Sequence, residues 1–146
     1  MIAVDGSESS LRAVDHASFF LGKNPDIRIN LLHIAPRLRD YCSIDFDEEG
    51  DPLREVIAQG NQKCIDTFYS QAEQRFKEAG LKENQIEINQ VKSTINIGKT
   101  IVNETEKGNY GTVIVGRRGA NNSFFMGSVS RYVLTNASNC AVWLVP

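Results

Sequence analysis

The sequence predicts an α/β fold in which five parallel strands form a doubly wound, three-layer sheet. Strand and helix patterns alternate along the whole chain, which is typical of a parallel sheet with right-handed helical crossovers. The pattern at residues 27–35 contains adjacent leucines, as expected of a strand buried on both faces. A chain of 146 residues fits one compact domain, and we predict a single domain over residues 1–146.

The first half of the chain contains two strands and two helices. The strands are residues 1–5 and the buried segment described above. Ser7 is the expected N-cap of the first helix. Its apolar stripe at helical spacing consists of Leu11, Val14, Ala17 and Leu21. A polar loop at 36–52 precedes a long helix at 53–79, for which Gly80 is a stop signal.

The second half continues the alternation with three strands and two helices. In chain order we predict a strand at 85–91, a helix at 97–107 ended by Gly108, a strand at 111–115, a helix at 128–138 and a strand at 140–145. Five strands separated by four helices complete the doubly wound sheet.

In such a sheet, ligands bind beyond the carboxyl ends of the strands, at the point where the winding reverses. The first and fourth strands are the natural neighbours at that point. Asp5, Gly6 and Ser7 follow the first strand, and the segment from Gly116 to Gly119 follows the fourth. Sequence pattern and topology therefore indicate the same edge as the candidate ligand site.

The segment at residues 112–130 has the pattern of a phosphate cradle. An apolar strand ends at Gly116, Gly119 follows three residues later, and Gly127 opens a hydroxyl-rich helix start. Glycines let the backbone approach a ligand, while the free N–H groups and positive dipole end of the helix attract negative charge. This segment predicts a nucleotide site.

Composition excludes several classes of function. The net charge of −2 argues against broad nucleic-acid binding, which needs a basic surface. No apolar run approaches the roughly 18 residues of a membrane span, and no signal peptide opens the chain. Cys42, Cys64 and Cys140 are odd in number, far apart and in no CxxC spacing, which favours reduced thiols. We therefore expect a cytoplasmic protein without nucleic-acid or membrane partners.

A near P-loop follows the third strand. Gly98, Lys99 and Thr100 match the end of that motif, but Ser93 occupies the position of its first glycine. An ordinary helix start is the favoured interpretation.

An acidic segment at residues 45–51 imitates the start of a calcium-binding EF-hand loop. Its twelfth position, where the loop needs a bidentate Glu, is Val56. We interpret the segment as an exposed acidic loop. Its sequence leaves open whether it covers a nucleotide or contacts a partner.

These segments resemble the universal stress protein family, in its single-domain ATP-binding form, over nearly the full length. Residues 3–10 with Ala13 are similar to the family's first strand and turn, and 31–35 to its second strand. Residues 113–116 and 127–130 are similar to its fourth strand and the helix that follows. The resemblance implies a Rossmann-like, adenine nucleotide alpha hydrolase-like sheet that binds ATP, ADP or AMP, with Mg²⁺ as a further ligand.

The resemblance also implies which residues contact the adenosine. Ala3, Val4 and Asp5 would line the adenine and ribose side, and Ile34 would pack on the adenine. Asp5 would accept hydrogen bonds from the ligand and could ligate Mg²⁺. The alternative for Asp5 is a strand-end residue that caps the turn.

The phosphate side is implied in the same way. Val115, Gly116 and Gly119 would let the backbone approach the ribose and phosphates. The phosphate tail would be held by Gly127, Ser128, Val129 and Ser130. Arg117 and Arg118 would either screen phosphate charge or lie in a solvated loop. The family has nine residues between its second and third motif glycines, whereas this chain has seven, residues 120–126.

The resemblance finally implies a homodimer paired through the C-terminal strand, whose apolar edge would be a liability if it were bare. The expected function is ATP sensing, in which nucleotide changes the loops at 36–52 and 116–126 and so alters binding to a protein partner. One alternative is a slow ATPase, although the motif residues offer no obvious general base and neither His16 nor His33 is well placed. Another is a nucleotide-free dimeric interaction module.

Overall fold

The computed structural model describes residues 1–35, 52–92, 96–119 and 126–146, with side chains from residue 59 onward in the second range. The polar loop, the acidic segment, Cys42 and Ser93 lie outside the described residues. The elements in chain order are β1 Ile2–Val4, α1 Glu8–Leu21, β2 Ile29–Ala35, α2 Pro52–Glu78, β3 Ile86–Lys92, α3 Ile97–Lys107, β4 Thr112–Gly116, α4 Ser128–Asn136 and β5 Ala141–Val145, with a short 3-10 helix at Glu83–Gln85.

All five strands are parallel, in the spatial order β3-β2-β1-β4-β5. The winding reverses between β1 and β4, where Ile2 lies opposite Ile114 and Ala3 opposite Val115. The predicted doubly wound sheet is thus confirmed, including the neighbours at its centre.

Helices cover both faces of the sheet, and each face has its own apolar cluster. Leu31 is fully buried in the cluster with α1 and α2, which also contains Val14 and Phe76. Its neighbour Leu32 lies in the other cluster, with Val133 of α4. Successive side chains of a strand point to opposite faces, so adjacent leucines serve both layers.

The helix ends follow local backbone chemistry. Gly80 has φ +99°, a left-handed conformation that ends α2, and the Leu81 N–H donates to Phe76 O at 3.0 Å. At the end of α3 the left-handed residue is Asn109, φ 51°, rather than the predicted Gly108. Asparagine tolerates this region better than most residues do. The last helix ends at Asn136, two residues earlier than predicted.

Candidate functional site

The segments after β1 and β4 meet at the carboxyl edge of the sheet. A Cβ atom placed on Gly119 would lie 3.0 Å from Asp5 Oδ2. The glycine loop therefore passes directly over the end of the first strand, as the sequence predicts from topology.

Asp5 organises the turn into α1. Its Oδ1 accepts hydrogen bonds from the Ser7 N–H at 3.0 Å and from Ser10 Oγ at 2.6 Å. Ser10 Oγ in turn accepts from the Asp5 N–H at 3.1 Å, while Ser7 Oγ caps the helix by accepting from the Ser10 N–H at 3.2 Å. The turn-capping role is therefore present, and contact with a ligand stays a prediction. Sequence reasoning missed Ser10, whose only signal was a hydroxyl three residues after the N-cap.

Gly116 is the last residue of β4 and is needed for packing. A Cβ atom there would lie 2.9 Å from Ser9 Cβ and 3.2 Å from the Arg118 carbonyl oxygen. The first turn of α1 thus rests on this glycine. The sequence pattern predicted a close approach of a ligand, and the structure places a close approach of a helix there.

The two ends of the glycine loop are fastened together. The Arg117 N–H donates to Val145 O at 2.6 Å, and Arg117 O accepts from the Gly127 N–H at 3.0 Å. Ser130 Oγ, buried in the first turn of α4, lies within hydrogen-bonding distance of Arg117 O, 2.9 Å, and Gly127 O, 3.0 Å, and donates to these carbonyls. Ser130 therefore fixes where α4 begins relative to the end of β4.

The N-terminus of α4 has no side-chain cap. Its N-cap is Gly127, and its first turn contains no acidic residue. The N–H groups of Ser128, Val129 and Ser130 have no intrahelical partner, as in the first turn of any helix. Ser128 is exposed and Val129 half-buried. This helix start can receive an anion through its N–H groups and its dipole.

The N-terminus of α3, by contrast, is closed. Asn96 Oδ1 accepts from the Lys99 N–H at 3.0 Å, and Thr100 Oγ1 donates to Asn96 O at 3.0 Å. A Cβ atom on Gly98 would lie 2.8 Å from Tyr132 Cβ, so this glycine allows α4 to pack closely. The P-loop-like residues form an ordinary capped helix start.

The predicted adenosine-side residues divide between the two faces of the sheet. Ile34 and Val115 are buried in the cluster beneath α3 and α4, and Ala3 packs against that cluster. The Val4 side chain lies in the opposite cluster, with α1 and α2. On that face, His33 Nδ1 lies 3.1 Å from Val4 O. Any contact of Val4 with a ligand on the α3 side would therefore involve its backbone.

Other chemistry is sparse in the described part of the chain. Cys64 is exposed and Cys140 half-buried, and both are free thiols. Within the described ranges no three His, Cys, Asp or Glu side chains converge as a metal cluster would. Within the same ranges no helix is long and apolar enough to cross a membrane.

A cavity of about 210 Å³ lies at the opposite, amino-terminal edge of the sheet. Its lining includes Arg28, Tyr110 and Trp143. None of the predicted site residues lines it, so the candidate nucleotide site is a shallow surface at the carboxyl edge rather than this cavity.

Sheet order, a glycine loop at the switch point and an open helix N-terminus beside it define a doubly wound α/β domain of the ligand-binding kind. The chain matches the Universal stress protein family over residues 1–146 and belongs to it.

Solved structures with the same fold cover nearly the whole chain. A universal stress family protein from Burkholderia pseudomallei has TM-score 0.69 and 16% identity over 99% of this chain and 94% of its own. A universal stress protein in complex with cAMP has TM-score 0.63 and 21% identity, with 99% and 93% covered. One from Archaeoglobus fulgidus in complex with dAMP has TM-score 0.58 and 15% identity, with 99% and 94% covered. Among curated proteins, none matches the chain significantly.

Proposed function

We propose that this protein binds ATP, ADP or AMP at the carboxyl edge of β1 and β4 and acts in the cytoplasm as a nucleotide-dependent regulator of a stress response. The observation that carries the proposal is the uncapped start of α4, fastened beside the glycine loop. Adenosine would lie over Ala3, Ile34 and Val115, and the phosphates would lie against the first turn of α4.

Two features support an adenine nucleotide in particular. The solved relatives described above include complexes with cAMP and with dAMP. The apolar side chains at the strand ends also suit a flat base, whereas the open helix start suits phosphate. The seven-residue loop between Gly119 and Gly127 leaves this helix start in place, because Gly127 and Ser130 are both bonded to Arg117.

Mg²⁺ would enter with the nucleotide, and Asp5 is the carboxylate at this edge that would face it. The ion would neutralise phosphate charge beside the loop. Asp5 also holds the turn through Ser7 and Ser10. We expect ATP turnover to be slow or undetectable. A clear ATPase rate that Asp5→Asn abolishes would instead support the enzyme.

The active form proposed here is a homodimer paired through β5. This strand is an edge of the sheet, and its side chains are all apolar. Phe20 is 59% exposed and its ring lies 5.9 Å from that of Trp143, while its neighbour Phe19 is 83% exposed. An apolar edge strand and an adjacent exposed aromatic pair suit a second copy of the chain.

Proline scanning of the edge tests the dimer. The Ala141 N–H donates to Gly111 O and Val145 O accepts from Arg117, so these residues face β4 and Val142 faces the open edge. Val142→Pro removes an outward N–H without breaking the bonds to β4, and should convert a dimer to a monomer in light scattering. A monomeric wild type would refute the pairing.

The nucleotide is tested by isothermal titration of nucleotide-stripped protein with Mg-ATP, beside GTP. We expect saturable ATP binding near one per chain and clearly weaker GTP binding. Absence of heat with either nucleotide would place this chain among nucleotide-free interaction modules.

A further inference from the structure

Arg118 differs from its neighbour Arg117 in its surroundings. Arg117 is exposed, whereas Arg118 is half-buried and its Nε atom is inaccessible to solvent and has no hydrogen-bond partner. Among the described residues, no side-chain hydrogen bond or ion pair is made by Arg118. A cationic donor is therefore partly withdrawn from water and left uncompensated.

Such a donor is costly in the free protein. A buried polar group without a partner loses its hydration and gains nothing in return, and the cost is larger for a charged group. Buried charges in proteins are normally paired. A bound anion would supply the missing acceptor.

The backbone places Arg118 beside the open helix start. Its carbonyl oxygen lies 3.2 Å from the position of a Cβ on Gly116, and its Cα lies 3.8 Å from the corresponding position on Gly127. The bonds of Arg117 to Gly127 and Val145 hold this part of the loop against both α4 and β5. The Arg118 backbone is thus fixed between the end of β4 and the uncapped N-terminus of α4.

We propose that Arg118, rather than Arg117, recognises the phosphate groups and makes the site select nucleoside phosphates over unphosphorylated nucleosides. The proposal rests on the proposed nucleotide site. A guanidinium is always charged, and its planar set of donors matches phosphate oxygens better than an ammonium does. The helix dipole and Arg118 would act on the same phosphate from two sides.

The test compares Arg118→Met with wild type in titrations with ATP and with adenosine. Loss of one charge-assisted hydrogen bond should weaken ATP binding roughly 10- to 100-fold. Adenosine binding should change by no more than about twofold, because its contacts lie on the strand side. Lys99→Gln is the matched control, since it removes an exposed positive charge from the capped start of α3. ATP binding should be almost unchanged in that variant.

Thermal denaturation separates ligand recognition from a structural role. Without ligand, Arg118→Met should melt at the same temperature as wild type or higher, because an unsatisfied donor has been removed. The rise in melting temperature with ATP should shrink. A lower melting temperature without ligand, with ATP and adenosine weakened equally, would overturn the proposal. Arg118→Lys keeps the charge but loses the fork, and should bind ATP with intermediate affinity.

The results also distinguish this inference from the proposed function. If wild type binds ATP and Arg118→Met binds it equally well, Arg118 is not the phosphate ligand and the nucleotide site stands. If wild type binds neither ATP nor adenosine, the proposed function fails, and this inference fails with it.

Discussion

Two helices begin at the same edge of the sheet, and only one of them is open to a ligand. The start of α3 contains Gly98, Lys99 and Thr100, the residues closest in sequence to a P-loop. Its N–H groups are nevertheless served by the side chain of Asn96. The start of α4 has Gly127 in the capping position, and no side chain bonds to its first turn.

The difference shows that glycine alone does not identify a phosphate site. Gly98 lacks a side chain because Tyr132 occupies the space, and Gly116 lacks one because Ser9 does. Gly127 has open extended backbone, φ −60° and ψ 149°, and its nearest neighbour to a Cβ would be Ser130 Oγ at 3.4 Å. A side chain would fit there, so its absence serves the helix start rather than packing.

The largest expected effect comes from closing α4. Gly127→Asp should weaken ATP binding at least about 100-fold, because the carboxylate would cap the N–H groups and repel the phosphates. Stability should stay the same or rise by about a few tenths of a kcal/mol, since Asp is a better N-cap than Gly. Isothermal titration and urea unfolding measure both quantities.

The reciprocal change in α3 is its control. Asn96→Gly should leave ATP affinity unaltered and lower stability by only about a few tenths of a kcal/mol. If both variants lose binding alike, the contrast between the two helix starts is not the basis of recognition.

A smaller effect should follow from filling the space at Gly116. Gly116→Val would push Val side-chain atoms against Ser9 and displace the first turn of α1, at a cost of about 1–3 kcal/mol. Nucleotide binding should be lost with it, while the dimer should persist, because β5 lies beyond β4 from the displaced helix end. Urea unfolding and light scattering provide the measurements. An unchanged affinity for ATP would mean that this loop is not part of the site.

The smallest effect is expected at Ser130. Ser130→Ala removes the hydroxyl bonded to Arg117 O and Gly127 O, which should lower stability by about 1 kcal/mol. ATP affinity should fall by less than about tenfold, since the backbone N–H groups of the first turn remain. A loss as large as that of Gly127→Asp would show that the hydroxyl binds phosphate directly.

The sheet could be predicted because its signals are local and periodic. Alternating strand and helix patterns define the parallel order, and that order brings Asp5 to Gly119 without further information. The reason for Gly116 was not predictable, because Ser9 is distant in sequence and only the packing of α1 brings them together. The same applies to Arg118, whose buried Nε depends on how the loop is fastened to α4.

The most direct test of the central claim is a nuclear magnetic resonance titration of the backbone amides with Mg-ATP. The account predicts large shifts at Ser128, Val129 and Ser130, and small shifts at Ile97, Gly98 and Lys99, whose helix start is already capped. Equal shifts at both helix starts, or shifts confined to α3, would contradict the assignment of the phosphate site to α4.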